Sequence, residues 1–325
     1  MKTIRCALNG FLLAFLAIIV QPTFSQDFPS RSIKLIVPFA PGGATDFYAR
    51  QIAIKMSESM GQSVVIDNRP GAGTFIGVAA LKSSPPDGYT MMLAAEGTYS
   101  VNSSLFKKVP YDAFKDFGWV GLANRSSLLM VVSQTVPANS IKELITLIAS
   151  KPDQFSYGSP GIGTAHHLAM ELFAQRTGLT MTHIAFKGSG PAVQELVAGR
   201  IQLMFMNLAA AAPFIKTGAL KALAVGSTDK LIAMPGLPTV AEAGFPGFEA
   251  SSWQGIVVPV GTPRPLVDRL NRELNKALQD KLTLQKLAEL GIEPLTSTPE
   301  QFAEYAKQEA VKWGEVIRKA KLSID

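Results

Sequence analysis

Short apolar runs alternate with helical patterns along the first part of the chain. The apolar runs at 32–38, 63–67 and 89–94 have the length of buried strands, and the first two precede helical stretches at 47–60 and 74–81. Continuous apolar strands that are each followed by a helix are typical of a mainly parallel sheet covered on both faces. The pattern therefore predicts an α/β unit.

The middle of the chain repeats this alternation. Ser140 and Glu143 form a capping-box pattern ahead of a helix that ends at Lys151 and Pro152. Strands are predicted at 128–132, 155–157, 180–186, 201–206 and 220–226, and helices at 164–176 and 191–199. These elements predict a second α/β unit.

The last part of the chain is predicted to be helical. Leucines recur every four residues after Pro265, and Gly291 is a possible end for that helix. Thr298 and Gln301 form a second capping-box pattern, and the helix after them carries an apolar stripe that includes Phe302 and Trp313. Because no low-complexity linker separates the two α/β units, we expect them to share crossing strands.

Composition narrows the possible classes of protein. A length of 325 residues corresponds to roughly two domains, and 47% hydrophobic with 17% charged residues argues against disorder. The Lys and Arg residues are scattered, so nucleic acid is not an expected partner. The single cysteine, Cys6, excludes an internal disulfide framework, a cysteine zinc site and a mature thiol nucleophile.

The first 25 residues have the order of a secretory signal peptide. Lys2 and Arg5 precede an apolar run at 11–20, and the small residues Thr23 and Ser25 precede a cut at Gln26. The run is about half the length of a membrane span. We therefore predict a cleaved signal peptide at 1–25 and an exported, soluble, periplasmic protein. Removing Lys2 and Arg5 lowers the formal net charge from +6 to +4.

Three glycine-containing loops each link a predicted strand to a predicted helix. They lie at 41–46, 158–164 and 187–191. Free N–H groups at a helix start attract anions, and glycine lets a ligand approach the backbone closely. A single loop of this kind is more simply explained as a plain strand-to-helix turn. In an open α/β sheet, however, all three lie at the carboxyl ends of the strands, so together they can hold a carboxylate without an arginine.

Other motifs give little support for catalysis, a metal or a cofactor. The stretch 68–73 with Gly77 imitates a dinucleotide fingerprint, but it follows the second strand and its last gap is one residue too long. His166 and His167 are adjacent in a helix and cannot chelate one ion. His167 either faces a cleft or packs against the sheet, and His183 is expected to be a hydrogen-bonded core residue. We predict no cofactor, no metal site and no catalytic residues.

Several longer blocks resemble one known family in the same order along the chain. They include IKLIVPFAPGGATDFYAR, VVIDNRPGAGTFIG, GSPGIGTAHHLAMELF and FKGSGPAVQELVAGRIQLMF. These blocks resemble the Bug (TctC-like) solute-binding proteins of tripartite tricarboxylate transporters over essentially the whole mature chain. The resemblance implies a two-domain type II periplasmic binding protein, or Venus flytrap, with an interdomain ligand cleft. It implies a first domain of 26–126 plus 250–325, a second of 127–249, and crossings near 124–127 and 248–253.

The resemblance also implies a set of ligand-binding residues. In the first domain they are Phe39, Ala40, Gly42, Gly43 and Asp46, with Gly97 and Thr98 in a second strand-end loop. In the second domain they are the carboxylate clamp Gly161, Gly163, Thr164 and His167, followed by Gly188, Ser189, Met206 and Asn207.

Three positions depart from the family pattern. Ala40 stands where relatives commonly have proline, and Met206 stands where they commonly have aspartate, so the cleft wall is less polar. Glu96 occupies a loop that is usually small and uncharged. Its carboxylate either faces the cleft, where it would select a ligand with a cationic or donor group, or lies solvated on the rim, which is the simpler interpretation.

The resulting functional hypothesis is an exported, non-catalytic receptor. It captures a small carboxylate ligand between two domains and delivers it by domain closure to the subunits of a membrane permease, with which it associates transiently. We expect a monomer that binds no nucleic acid. Two alternatives remain at this point: a ligand-responsive partner of a membrane sensor, and an exported α/β enzyme.

Overall fold

The computed structural model describes residues 28–42, 44–151, 154–289 and 291–325. The predicted signal peptide at 1–25 and the predicted site residue Gly43 lie outside the described residues.

The described residues alternate between strands and helices for most of their length. The strands are β1 (Ile33–Val37), β2 (Val64–Asn68), β3 (Thr90–Ala95), β4 (Phe117–Ser133), β5 (Ser156–Ser159), β6 (Thr182–Ala185), β7 (Leu203–Asn207), β8 (Leu220–Val225), β9 (Ser251–Pro259) and β10 (Ile292–Pro294). The helices are α1 (Ala44–Met60), α2 (Phe75–Lys82), α3 (Asn102–Leu105), α4 (Ala113–Asp116), α5 (Ile141–Ser150), α6 (Ala165–Thr177), α7 (Ser189–Val197), α8 (Leu208–Lys216), α9 (Arg264–Leu278), α10 (Lys281–Glu289) and α11 (Pro299–Lys319). Most of the predicted strands and helices are confirmed to within a few residues.

The strands form two parallel units joined by antiparallel crossing strands. Their order is β2-β1-β3-β9-β4-β7-β5-β6, with β8 and β10 also paired to β4. β1 is parallel to β2 and β3, and β5 is parallel to β6 and β7. β9 is antiparallel to β3 and β4, while β4 is antiparallel to β7 and β8. We call β1–β3, β9, β10 and the start of β4 the first domain, and β5–β8 with the end of β4 the second.

β4 is one strand of 17 residues that belongs to both domains. Its residues 117–127 pair with β9, and its residues 128–133 pair with β7 and β8. The sequence pattern predicted only 128–132 and did not predict β9. Two bulges in the pairing with β9 shift the alternation along β4, and polar residues interrupt the apolar pattern of both strands. The numerical domain boundaries given above remain a prediction.

Side-chain alternation along the strands divides the core of the first domain between two helical layers. Met91 packs in the cluster that contains Tyr48 of α1 and Leu270 of α9. Its neighbour Met92 packs on the other face with Phe302 of α11. Successive residues of a strand point to opposite faces, so adjacent methionines can fill both cores.

One core cluster contains residues from both domains. Leu105 of α3 and Trp313 of α11 belong to the same cluster as Leu168 and Phe173 of α6. The side-chain amide of Gln175 on α6 also donates a hydrogen bond to the carbonyl oxygen of Val316 at 3.0 Å. Helices α6 and α11 therefore join the domains through a buried apolar interface, in addition to the crossing strands.

Helix ends follow the local sequence in most places. Ser140 accepts the amide of Glu143 at the start of α5, and Thr298 and Gln301 form the predicted capping box of α11. The leucine-rich helix does not extend to Gly291 as predicted. It stops at Leu278, and α10 begins at Lys281 after Asp280, a residue type that favours helix starts. In the part of the chain that the structure describes, no helix combines the length and apolarity needed to cross a membrane.

Candidate functional site

The carboxyl ends of the parallel strands in the two domains point toward each other. β3 runs antiparallel to β9 and therefore in the same direction as β4, which leads from the first domain into the second. β7 runs antiparallel to β4 and leads back. The loops after β1–β3 and after β5–β7 consequently occupy facing edges, and the side chain of Leu105, which follows β3, lies directly against Gly163. This arrangement brings the predicted loops together.

The loop after β1 is held by the carboxylate of Asp46. Asp46 Oδ2 accepts a hydrogen bond from the amide of Gly42 at 3.0 Å. The two carboxylate oxygens also accept hydrogen bonds from Nε and an Nη group of Arg50. Asn68 donates to Asp46 Oδ1 at 3.0 Å and to the carbonyl oxygen of Phe39 at 3.1 Å. The hydrogen bonds from Arg50 and then from Gly42 lower the pKa of Asp46 to about 2. Asp46 therefore shapes the loop, while Ala40 and Gly42 are exposed.

Polar side chains of the crossing strands form a floor between the facing loops. The floor consists of Asn124 and Ser126 on β4 with Gln254 and Ser252 opposite them on β9. Asn124 donates to Gln254 Oε1 at 3.0 Å, and Gln254 donates to the hydroxyl of Thr45 at the start of α1, at 2.7 Å. The floor is therefore hydrogen-bonded to the first-domain loop.

The same floor is hydrogen-bonded to the second domain. Asn207, at the end of β7, donates to the hydroxyl of Ser126 at 3.0 Å. Its amide oxygen lies 2.8 Å from Nε2 of His166 on α6. Burial lowers the pKa of His166, and the Asn207 oxygen opposes that shift. Two groups of hydrogen-bonded side chains thus meet at the floor: Thr45, Gln254 and Asn124 on the first-domain side, and Ser126, Asn207 and His166 on the second-domain side.

The loop at 159–164, which we call the clamp loop, directly precedes α6. The hydroxyl of Thr164 donates to the carbonyl oxygen of Gly161 at 2.8 Å and accepts the amide of His167 as the helix cap. Gly163 has φ +77°, and a Cβ there would lie 2.0 Å from Leu105 Cδ2 of the first domain. Only glycine fits this turn and this approach, as the glycine spacing suggested.

The structure settles the alternatives for the histidines of this region. His167 is 0% exposed, and its ring stacks on His183 with centroids 3.8 Å apart. It therefore packs against the sheet and touches the clamp loop from beneath, because Gly163 donates its amide to Nδ1 at 3.1 Å. His183 is half-buried and lies 2.7 Å from the hydroxyl of Ser159.

The interpretation of Glu96 as a solvated residue on the rim of the cleft is wrong. Glu96 is only 7% exposed, at the end of β3. Glu96 Oε2 accepts the amide of Trp253 at 3.1 Å and the hydroxyl of Ser252 at 3.4 Å, where β3 ends beside β9. Burial, with a smaller contribution from the nearby carboxylate of Glu309, raises the pKa of Glu96 to about 7. Its carboxyl lies beside the floor residue Ser252.

The prediction that Met206 lines the cleft is wrong. Met206 is 1% exposed and belongs to a core cluster with Val131, Ala192 and Leu196. Strand alternation turns Met206 into this core, and the next residue, Asn207, reaches the floor.

The other predicted residues of the second domain lie in the loop before α7. Ser189 is exposed, and Gly188 has φ +109°. The amide of Gly188 donates to the carbonyl oxygen of Pro160, which connects this loop to the clamp loop.

The loops after β2 and β3 meet through two hydroxyl groups. Thr74 lies 2.9 Å from Thr98, and Tyr111 donates to the carbonyl oxygen of Thr98 at 2.7 Å. Thr74 has φ +80°, an unfavourable conformation for a β-branched residue. Gly77, part of the imitated dinucleotide motif, allows α2 to approach β1, since a Cβ there would lie 2.7 Å from Pro38 Cβ.

Sequence reasoning missed Thr74 and the whole floor. The available signal was the set of polar residues at alternate positions within the otherwise apolar stretches 117–133 and 251–259. Such residues in a buried strand need partners, which can come from facing loops.

A separate cavity of about 510 Å³ lies between the domains beside Arg125. Its lining includes Ser127, Ile232 and Leu284 rather than the predicted loops. The Arg125 guanidinium is already paired with Glu293 at 2.9 Å and with Glu249 at 3.6 Å. Arg125 is thus engaged by acids of the protein itself, and the facing loops remain the stronger candidate site. Among the described residues, no group of three or more metal-ligating side chains is assembled.

Comparison with known proteins points to the same family as the sequence blocks. A family model described as "Tripartite tricarboxylate transporter family receptor" matches residues 48–322. The solved structure of R. palustris Rpa4515 with adipate is 35% identical, covers 92% of this chain and 100% of its own, and superposes with a TM-score of 0.82.

Two further structures agree with that similarity. The periplasmic binding protein BugD is 34% identical, with 91% of this chain and 100% of that chain covered and a TM-score of 0.77. MatC from Rhodopseudomonas palustris with bound malate is 31% identical, with 89% and 100% covered and a TM-score of 0.76. The shared two-domain fold confirms the predicted fold class.

Proposed function

Because the chain belongs to the tripartite tricarboxylate transporter receptor family, we propose that it captures a small carboxylate ligand between its two domains and delivers it to a membrane permease. The observation that carries this proposal is the pair of facing sheet edges, which share a polar floor. Helix α6, α7 and α8 begin after β5, β6 and β7, so their amino termini lie at one edge. Helix amino termini favour anions.

The ligand would be bound mainly by main-chain N–H groups and uncharged side chains. The main-chain donors would be amides of the Gly42 region, the clamp loop and the loop at 188–189, other than those of Gly42, Gly163 and Gly188, which already donate to Asp46, His167 and Pro160. Thr45, Asn124 and Asn207 provide hydroxyl and amide groups. Asp46 is occupied by its own partners, and His167 acts from beneath the clamp loop. All the predicted ligand-binding residues except Met206 stay in the proposed site. Asp46 and His167 support its loops from within the protein.

The relatives support the ligand class. The names of two of the similar structures include adipate and malate, which are both dicarboxylates. Main-chain donors recognise a carboxylate without recognising the rest of an acid, so the site is compatible with several chain lengths.

Export and the partner follow from the same family membership. We propose that 1–25 is removed, that the mature protein works in the periplasm as a monomer, and that it contacts the permease only transiently. The enzyme alternative would need a nucleophile or an acid/base pair within the facing loops. The clamp loop does contain a hydroxyl–imidazole pair, Ser159 with His183, but Ser159 is fully buried. The floor between the facing loops carries hydroxyl and amide groups, which favours binding.

A thermal-shift screen tests the proposal. The mature protein would be incubated with adipate, malate, mono- and tricarboxylates, amino acids and aromatic acids. A ligand at about 100 times its Kd stabilises the native state by about 2.7 kcal/mol, which is a readily measured rise in Tm. We expect at least one carboxylate to give this shift.

Matched variants identify the site. Asn124→Leu removes the amide at the centre of the floor and should weaken binding of the selected acid about tenfold or more. Asn275→Ala is the control, since Asn275 is also a hydrogen-bonded asparagine of the first domain but lies on α9. Equal affinities for the two variants would place the ligand elsewhere, and no stabilisation by any carboxylate would reject the ligand class.

A further inference from the structure

A group of ionisable side chains lies directly beneath the clamp loop. His167 of α6 stacks on His183 of β6 at an interplanar angle of 11°. Tyr157 of β5 stacks on His183 with centroids 4.8 Å apart, and its hydroxyl donates to Glu171 Oε1. The titratable groups that face His167 are therefore Glu171 from its own helix, Tyr157 from β5 and His183 from β6.

The two ring nitrogens of His167 have different environments. Nδ1 accepts the amide of Gly163, so the proton of the neutral ring is on Nε2. Nε2 is buried, has no hydrogen-bond partner among the described residues, and lies 3.6 Å from Glu171 Oε1. The Gly163 amide therefore favours the neutral ring, and the Glu171 carboxylate favours the charged ring.

We propose that His167 is a positioning residue whose protonation releases the clamp loop. A proton on Nδ1 would face the N–H group of Gly163, donor against donor, and the hydrogen bond that holds the turn would be lost. Glu171 would then be the counter-ion of the imidazolium. The consequence for ligand binding rests on the proposed function, whereas the response of the loop itself requires no ligand.

Of the two stacked histidines, only His167 is expected to take up a proton above pH 5, because the surroundings of His183 disfavour its charged form. Burial, and then the proximity of His167, lowers the pKa of His183 to about 4. Although burial acts in the opposite direction, His167 and Tyr157 hold the pKa of Glu171 below its ordinary value. Above pH 5, His183 is thus neutral, and Glu171 is the carboxyl group nearest to a charged His167. An exported receptor would experience external pH directly, and its clamp loop would loosen as the medium becomes acid.

Nuclear magnetic resonance of the ligand-free mature protein tests the loop response. The amide signal of Gly163 and the ring nitrogens of His167 would be followed from pH 8 to pH 5. We expect both to shift with one common midpoint. The Gly163 amide should also lose about fivefold to tenfold of its protection from hydrogen exchange, which corresponds to one net hydrogen bond.

Two variants make the test specific. His167→Asn places an amide oxygen near the position of Nδ1, so the Gly163 hydrogen bond is kept but cannot titrate, and its signal should stay constant. His166→Gln is the control, because it replaces the adjacent histidine and should preserve the wild-type titration. A wild-type Gly163 signal that does not move overturns the proposal. A His167→Asn protein that titrates like wild type also overturns it.

Adipate binding provides the functional readout. Between pH 7.5 and pH 5.5, wild type should lose about fivefold more affinity for adipate than His167→Asn, since the titration of adipate itself is common to both proteins. Equal losses would overturn the link between the loop and binding. If adipate binds neither protein at either pH, the proposed ligand class is challenged, while the Gly163 titration still decides the role of His167.

Discussion

At the residue scale, Glu96 shows how a buried carboxyl group beside the floor can influence stability. Its carboxyl is buried between β3 and β9, with Glu309 nearby and hydrogen bonds from Trp253 and Ser252 at Oε2. Burial disfavours the charged form, so its pKa lies near 7 instead of near its ordinary value of 4.5. The folded protein therefore keeps a proton on Glu96 over a pH range in which the unfolded chain has lost it.

The expected result is a loss of stability as pH rises. The contribution of protonated Glu96 is fully present below about pH 4.5 and is lost through about pH 7, because the raised pKa means that the native state binds more protons. Relative to Glu96→Gln, wild type should lose about 2.5 kcal/mol of unfolding free energy between pH 5 and pH 8.5. Urea unfolding at both pH values measures this difference. Parallel pH curves for the two proteins would contradict it.

Gly163 offers a second prediction at the residue scale. Gly163→Ala adds a methyl group in a left-handed conformation and directly against Leu105, so it should cost about 2–4 kcal/mol of stability and weaken ligand binding. Gly178→Ala is a matched control, since Gly178 ends the same helix with φ +69° and has no atom within 4 Å of its added Cβ. It should cost only about 1–2 kcal/mol.

Two further variants complete this comparison. The double variant Leu105→Ala with Gly163→Ala should lose less stability in thermal unfolding than the sum of the two single losses, because the collision partner is removed. Thr164→Ala should cost about 1 kcal/mol, as a lost helix cap does. If Gly163→Ala and Gly178→Ala are equally destabilised, the contact between the clamp loop and α3 is not important for stability.

At the scale of elements, the docking of α11 on β9 depends on the absence of a side chain. Gly255 lies in the middle of β9, and a Cβ there would be 2.0 Å from Phe302 Cζ at the start of α11. Phe302 is fully buried and packs edge-on against Trp119 and Trp253. The helix can therefore pack closely against the crossing strand only because position 255 is glycine.

Gly255→Ala should consequently destabilise the protein by about 1–3 kcal/mol. Gly190→Ala is the control, because Gly190 lies within α7 and its added Cβ would have no neighbour within 4 Å. That substitution should stabilise by no more than about 0.5 kcal/mol, because Gly190 lies in the first turn of α7 and precedes Pro191. Chemical denaturation of both variants gives the two signs, and a neutral Gly255→Ala would show that α11 can shift without loss.

At the scale of the whole molecule, the two domains are joined by more than the crossing strands. Leu105 and Trp313 of the first domain share a core with Leu168 and Phe173 of the second. Unfolding one domain would expose the apolar surface of the other, so the two should unfold together.

Calorimetry of the ligand-free mature protein should therefore show one transition. Leu105→Ala should lower its Tm and keep a single peak, since a buried leucine truncation costs about 2–5 kcal/mol. Two resolved transitions in wild type would mean that the shared core does not couple the domains.

Much of the architecture was determined by the sequence alone. Apolar strands, glycine loops and capping residues act over a few neighbours, so the alternation of strands and helices and the capping box of Thr298 were predicted correctly. The order of the longer blocks identified the family and the two-domain fold, and both are confirmed. The domain boundaries and the ligand-binding residues stay predictions.

Only the tertiary structure decided which side chains meet and which are buried. Gln254 reaches Thr45 across 209 positions, and Asn207 reaches Ser126 across 81, so no local pattern indicates these bonds. The places of Glu96 and Met206 in the chain predict a position at the cleft or its rim, but burial depends on the elements packed against them. Hydrogen bonding within turns and helices is local, whereas desolvation and side-chain pairing are set by residues far apart in sequence.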